Sequence, residues 1–279
     1  MAKIGQWNTL MAIEIADRGL MLDGGPHGLI LCPTKYLPED AEPGEEFRVF
    51  VYLDSEDRLI ATTEEPLAQV GEFAFLEVVS VNPRIGAFLN WGLAKDLLLP
   101  FGEQLGRARV GQKLVVAILI DDRTGRIIAS QRTHRQLDKS RPLYDDGQAV
   151  SLFIAEKTPL GYNAFINHRH LGLLYHSDLA SPLEIGQTVE GFVRRVWPDD
   201  RIDLSLDASG YERVASLTDD ILEALRNNDG HLEIGDKSSP EEIRRVFGAS
   251  KKAYKQALGA LYKKRLIRFE KDSVHLVES

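Results

Sequence analysis

The sequence predicts a mainly β protein with a C-terminal α+β domain: three small antiparallel barrels in tandem, then a winged helix-turn-helix. Three observations carry this. A strand-rich unit of about sixty residues occurs three times. Within each unit, turn signals recur every eight to twelve residues or so, the rhythm of a small closed barrel. From about Leu217 the apolar spacing changes from strand-like to helical, and two short strands close the chain.

The units run in parallel. Each opens with a glycine (Gly5, Gly71, Gly147), runs into an alternating apolar strand, turns, and reaches a short apolar run. A Gly-led strand and a charged tight turn closed by an arginine follow: PGEEFRVFVYLDSEDRLIAT, VGQKLVVAILIDDRTGRIIAS and IGQTVEGFVRRVWPDDRIDLS. The closing arginines are Arg58, Arg126 and Arg201. The expected domains are 1–66, 67–133, 143–208 and 212–279. The polar stretch 131–146, with Arg132, Arg135, Lys139 and Arg141, joins the second repeat to the third.

After the candidate N-cap Thr218, Ile221, Leu222 and Leu225 follow helical spacing. HLEI at 231–234 reads as a short strand. SSPEEIRRVFG carries a serine cap, a proline at the first helical position, acids in the first turn and a closing glycine. In the next helix Ala253, Ala257, Leu258 and Leu261 form the apolar face. The strands LIRFE and SVHLVE flank a turn at Lys271–Asp272, completing the winged-helix order.

Bulk properties narrow the function. The 279 residues are 43% hydrophobic with no apolar run long enough to span a membrane, so no membrane partner is expected. The N-terminal MAKIGQWNTL lacks the apolar stretch of a signal peptide, and the single cysteine, Cys32, allows neither an intramolecular disulfide nor a cysteine-rich zinc site; a cytoplasmic protein is the simplest reading. The net charge is −8, but unevenly spread. Residues 1–66 hold 5 basic and 13 acidic side chains, whereas residues 244–271 hold 10 basic side chains against one acid, Glu270. A local field of that kind attracts phosphates while the whole chain stays acidic.

Small five-stranded barrels bind single strands by offering rings on which bases stack, with basic groups nearby for the phosphates. The run IDDRTGRIIAS with GAFL upstream resembles the S1 domain of RNA-binding proteins, an OB-fold barrel. Three S1-type OB-fold barrels followed by a winged helix resemble the bacterial conserved virulence factor B family over essentially the whole chain. In the S1 family, two aromatics flanking a Gly-Ala step, a histidine on the next short strand, and an Asp and an Arg bracketing the last turn form the RNA face.

The resemblance carries over unequally. In the third copy Tyr162 and Phe165 hold the aromatic positions, Tyr175 the histidine position with His176 beside it, and Arg201 the arginine. Trp197 stands where the Asp would be. In the second copy Phe88, Asp122 and Arg126 match, Ile85 and Leu99 replace the first aromatic and the histidine, and Trp91 in the following loop is a candidate substitute ring. In the first copy only Asp54 and Arg58 remain; Arg18, Met21 and Leu31 fill the other positions, and a structural or partner-binding barrel is expected. The same rings have a plain alternative: a strand side chain points in or out with period two, so Phe88 and Phe165 are core residues if their parity is reversed.

The expected activity is therefore binding of single-stranded RNA by barrels 2 and 3. The winged helix adds phosphate contacts from Arg244, Arg245, Lys251, Lys252, Lys255, Lys263, Lys264 and Arg265. Post-transcriptional regulation is what the family resemblance implies. The rival is a transcription regulator whose winged helix reads duplex DNA; Gln256 alone, amid lysines, offers little for base readout. A protein-interaction scaffold with the acidic barrel docking a basic partner is the third. No enzyme, cofactor or metal is expected: phosphate-binding and nucleophile-elbow motifs are missing, His168, His170 and His176 lack accompanying ligands, and Asp121–Asp122 and Asp199–Asp200 lie in turns that favour Asp.

Overall fold

Each repeat closes into a five-stranded barrel, and its long first strand is the reason. In the computed structural model, which describes residues 1–179, 181–206, 209–249, 251–270 and 273–277, the first barrel comprises β1 (Trp7–Ala16), β2 (Gly19–Asp23), β3 (Leu29–Pro33), β4 (Glu46–Leu53) and β5 (Leu59–Thr62). β1 pairs along its first half with β4 and along its second half with β2. Between the two halves the register slips at Ile13, a bulge that bends the strand so that one element serves both sides of the barrel. The order β1-β2-β3-β5-β4 closes through a parallel contact of Leu31 with Ile60.

The second barrel repeats this with β6 (Phe73–Asn82), β7 (Gly86–Leu89), β8 (Leu97–Pro100), β9 (Lys113–Ile120) and β10 (Ile127–Ser130), its bulge between Val78 and Ser80. The third has β11 (Ala149–Lys157), β12 (Gly161–Ile166), β13 (His170–Tyr175), β14 (Thr188–Val196) and β15 (Ile202–Ser205), with a bulge between Ile154 and Glu156. All three are closed and share one strand order.

The repeated second-strand glycine is required by close packing. A Cβ on Gly86 would lie 2.2 Å from the Leu99 carbonyl oxygen, and one on Gly19 would lie 1.9 Å from that of Cys32. Cys32 itself is fully buried in the first barrel's core with Leu20, Leu22, Ile30, Val49 and Val51. Burial pushes its thiol up to about 12, which leaves it protonated and unreactive at neutral pH.

By backbone contacts the chain divides into two compact units, Met1–Pro142 with Ser151–Val189, and Leu143–Val150 with Glu190–Ser279. Inside the first unit, barrels 1 and 2 share one core. Trp7 and Trp91 both meet Phe50 edge-on, at centroid distances of 5.9 and 5.5 Å. The Trp91 indole N–H donates to the Ala68 carbonyl at 2.8 Å, and Val70 N–H donates to Gly5 carbonyl, also at 2.8 Å.

The second unit contains the winged helix: α1 (Ser209–Asn227), β16 (His231–Leu232), α2 (Pro240–Phe247), α3 (Lys251–Lys263), β17 (Ile267–Glu270) and β18 (Ser273–Leu276). α1 starts before the expected cap, so Thr218 lies inside the helix. The Ser239 cap is a full capping box with Glu242, and Gly248 ends α2 in the left-handed conformation at φ 63°. Leu217, Ile221, Leu225, Ile243, Tyr254, Leu258, Leu261, Ile267 and Val274 form its core. Ala257 and Leu261 lie on the expected face of α3, while Ala253 is only half-buried. The strands pair in the order β16-β18-β17, and the expected turn at Lys271–Asp272 lies outside the described residues. Among the described residues no helix is long and apolar enough to cross a membrane.

A Gly86→Ala exchange is expected to cost at least about 2 kcal/mol, because the new Cβ meets a carbonyl oxygen and not a movable side chain. Gly44 also has a positive φ, 97° against 144° for Gly86, but open space around it, so Gly44→Ala should cost clearly less. Urea unfolding followed by tryptophan fluorescence measures both; equal losses would mean that backbone conformation, not the close approach, sets the cost.

Candidate nucleic-acid interface

Strand parity decides which rings are available. On β12, Tyr162, Ala164 and Ile166 point into the barrel, and Asn163 and Phe165 point out. Tyr162 is therefore 2% exposed; its hydroxyl accepts the Leu183 N–H at 3.3 Å and its ring meets His176 edge-on. It is a core residue, which corrects the expectation of a base-stacking ring.

Phe165 has the outward orientation that stacking needs, yet it is only 4% exposed. Its face is covered by Phe73 of barrel 2 at a centroid distance of 3.9 Å and an interplanar angle of 25°, with Phe153 on the adjacent strand beside it. The ring stacks, but on protein. Gly186 lets Phe75 approach the same junction, since a Cβ there would lie 2.4 Å from the Phe75 ring. Phe165 is accordingly a junction residue and not a free platform.

His168 seals this junction. Asn167 and His168 both adopt positive φ, which turns the imidazole back so that Nδ1 accepts the Phe73 N–H at 3.0 Å. Accepting at Nδ1 requires the neutral ring, and burial holds its pKa below the ordinary 6.5. His170 and His176 engage other backbone groups, the carbonyls of Ser140 and Thr158. Tyr175 is half-buried and His176 exposed.

In barrel 2, Phe88 is half-buried and pairs across the strands with Leu98. Leu99, matched to the histidine position, points into the core. Trp91 is 3% exposed at the junction with barrel 1 and is a packing residue, a second correction.

The closing turns are built alike. The N–H groups of Asp54, Asp121 and Trp197 donate to the carbonyls of Arg58, Arg126 and Arg201 at 2.9, 2.9 and 2.8 Å. Asp121, not the exposed Asp122, thus holds the bracketing position, because the second turn is one residue longer. Arg58 binds Asp54 through Nε and Nη2 at 2.9 and 2.7 Å, whereas Arg126 reaches Asp57 of the neighbouring barrel. In the third turn the Trp197 indole donates to Asp203 at 2.8 Å, and the Arg195 guanidinium lies 4.1 Å from the ring centroid, with Arg201 at 5.7 Å. Arg201 also donates to Asp199 at 2.7 Å.

On the winged helix, Arg244, Arg245, Lys255, Lys263, Lys264 and Arg265 are exposed. Lys251 is half-buried and donates to the Lys237 carbonyl at 3.4 Å; Lys263 lies 3.7 Å from Asp146. The side chain of Lys252 lies outside the described residues. One aromatic pair escaped the sequence reading. Tyr262, at the end of α3, and Phe269, on β17, are 56% and 39% exposed with centroids 5.4 Å apart. They share the region with Lys263, Lys264, Arg265 and Arg268. The available signal was the spacing of an aromatic at a lysine-rich helix end and another on the wing strand.

Three closed barrels with the OB-fold strand order, followed by a winged helix carrying this basic surface, define a protein of the S1 and winged-helix nucleic-acid-binding class. The S1 domain model matches residues 4–64, the least S1-like copy by its site residues, and the CvfB-like winged helix domain model matches residues 219–276. Conserved virulence factor B of Staphylococcus epidermidis is 30% identical over 258 residues, 86% of this chain and 83% of the relative. YitL of Bacillus subtilis is 30% identical over 271 residues, 93% of this chain and 89% of the relative. The chain belongs to the conserved virulence factor B family. A crystal structure of a multidomain protein with nucleic acid binding domains from Streptococcus pneumoniae aligns over 98% of each chain, at 22% identity and a TM-score of 0.41.

Replacing Phe165 with Ala is expected to cost about 3–5 kcal/mol of stability, since it empties a ring-sized space between two barrels. Thermal unfolding measures this, and a loss under about 1 kcal/mol would contradict the packing role.

The junction should also weaken in acid. His168 is held neutral in the folded chain with its pKa below 6.5, so the unfolded chain binds more protons below that pH. Its contribution is complete above about 6.5 and declines as pH falls from there towards the folded pKa. A stability profile between pH 7.5 and 5 should flatten in His168→Gln relative to the wild type; superimposable slopes would remove His168 as the cause.

Proposed function

We propose that this protein binds single-stranded RNA in the cytoplasm and acts in post-transcriptional regulation through binding, with no chemical step of its own. The observation that carries the reading is the exposed Tyr262–Phe269 pair amid the basic groups of the winged helix. Rings with free faces next to phosphate-binding side chains suit unstacked bases, which a duplex does not offer. The half-buried Trp197 with Arg195 and Arg201 belongs to the same compact unit and supplies a second aromatic–cationic group. Barrel 3 thus contributes through its β14–β15 turn in place of β12, and barrel 2 through Arg126 and Phe88.

Fluorescence anisotropy with a pyrimidine-rich RNA and a duplex DNA of equal length tests this. The RNA is expected to bind more tightly at physiological salt. Tyr262→Ala and Phe269→Ala should each weaken RNA binding by roughly 1–3 kcal/mol if a base stacks there, with the fold checked by circular dichroism. Tighter binding of the duplex, insensitive to these rings, would favour a DNA-reading regulator.

A further inference from the structure

The turn between β4 and β5 brings the acidic barrel against Lys95 and Arg126 of barrel 2. Asp57 stands in this turn at a positive φ of 60°. Its carboxylate pairs with the Arg126 guanidinium and lies 3.7 Å from the Lys95 ammonium, while Lys95 donates to the Asp54 carbonyl at 2.6 Å. Beneath them runs a cleft of about 200 Å³ whose lining includes Ile85, Phe88, Leu98, Lys95, Arg126 and Asp57.

Asp96 also lines the cleft beside Lys95, but Lys95 and Arg126 over a largely apolar floor with a half-buried ring are the groups a single strand requires: charge for a phosphodiester, a surface for its base. The oxygen acceptor found there is a carboxylate of the chain itself. Both partners of the pair are partly exposed, at 53% for Arg126 and 40% for Asp57, so the contact is weak enough to be displaced. Barrel 1 also carries 13 acidic against 5 basic side chains over residues 1–66, a field that repels polyanions from this cleft.

We propose that Asp57 is an intramolecular stand-in for a nucleic-acid phosphate. The cleft of barrel 2 is a second site for single-stranded nucleic acid, and the acidic turn of barrel 1 competes for it. The inference rests on the RNA-binding reading above. The barrel that lacks stacking rings thereby sets the threshold at which barrel 2 engages a strand already held elsewhere.

Full-length protein is titrated into a labelled oligouridylate at two salt concentrations. Asp57→Asn removes the charge and keeps a residue that tolerates positive φ. It is expected to tighten binding about 3- to 10-fold and to steepen the slope of log affinity against log salt by about 0.7, the contribution of one added phosphate contact. Glu56→Gln removes the same charge from the same turn, where Glu56 pairs with Arg58, and should change affinity less than about 2-fold. Arg126→Ala placed on Asp57→Asn should abolish the gain. If Asp57→Asn unfolds the barrel, Asp57→Gly, which accepts the same backbone, replaces it. Wild-type binding with unchanged or weaker binding by Asp57→Asn overturns this inference alone and leaves a structural clasp between barrels. An equal gain from Glu56→Gln also overturns it, in favour of diffuse charge. Absence of RNA binding by every variant overturns the RNA reading itself, and this inference with it.

Discussion

The burial of aromatic rings between successive barrels is the interaction on which the rest of the first unit depends. A five-stranded barrel of about sixty residues buries too little apolar surface to be robust alone. Here each barrel extends its core into the next. Trp7, Phe50 and Trp91 join the first pair, and Phe73, Phe153 and Phe165 the second. Full burial of such a side chain is worth roughly 1.5–3 kcal/mol. The use of outward-facing rings as mortar has a functional cost, because a ring that packs against protein cannot pack against a base.

That trade explains where the available chemistry lies. Barrel 3 gives up Phe165, and barrel 2 Phe73 and Trp91, to the junctions; barrel 2 keeps Phe88 half-exposed, and both keep cationic turns at their rims. The winged helix builds its core from Tyr254, with Phe247 stacked on it, and from aliphatic residues, while Tyr262 and Phe269 stay at the surface. In the proposed RNA-binding reading, recognition is thereby shifted away from β12 and towards turns and helix ends.

Much of the architecture was legible in the chain. The glycine-led repeats and their arginine-closed turns foretold three barrels, and the Ser239 capping box was readable as a serine, a proline and two acids in order. The site was less legible. The S1 resemblance put Phe165 on the RNA face, and period two alone left its side open; no local pattern announces that Phe73, more than ninety residues earlier, lies over it. Tyr162 failed for a different reason: matching NAFI to GAFL ignored that β12 is two residues longer, which pairs Gly161 with Tyr175 as Gly86 pairs with Pro100. Asp122 failed because the second turn holds an extra residue. Long-range packing and small length differences are the two things a repeat comparison hides.

The fully buried Cys32 has a practical corollary. It is the chain's one cysteine, and its thiol is both enclosed and held protonated. Alkylation at this position must wait for the surrounding strands to part, so its rate under native conditions follows the opening of barrel 1 alone. The molecule thus carries an intrinsic clock for the mobility of its acidic barrel, readable by mass without a label, and any ligand that clamps or frees that barrel will alter the interval it counts.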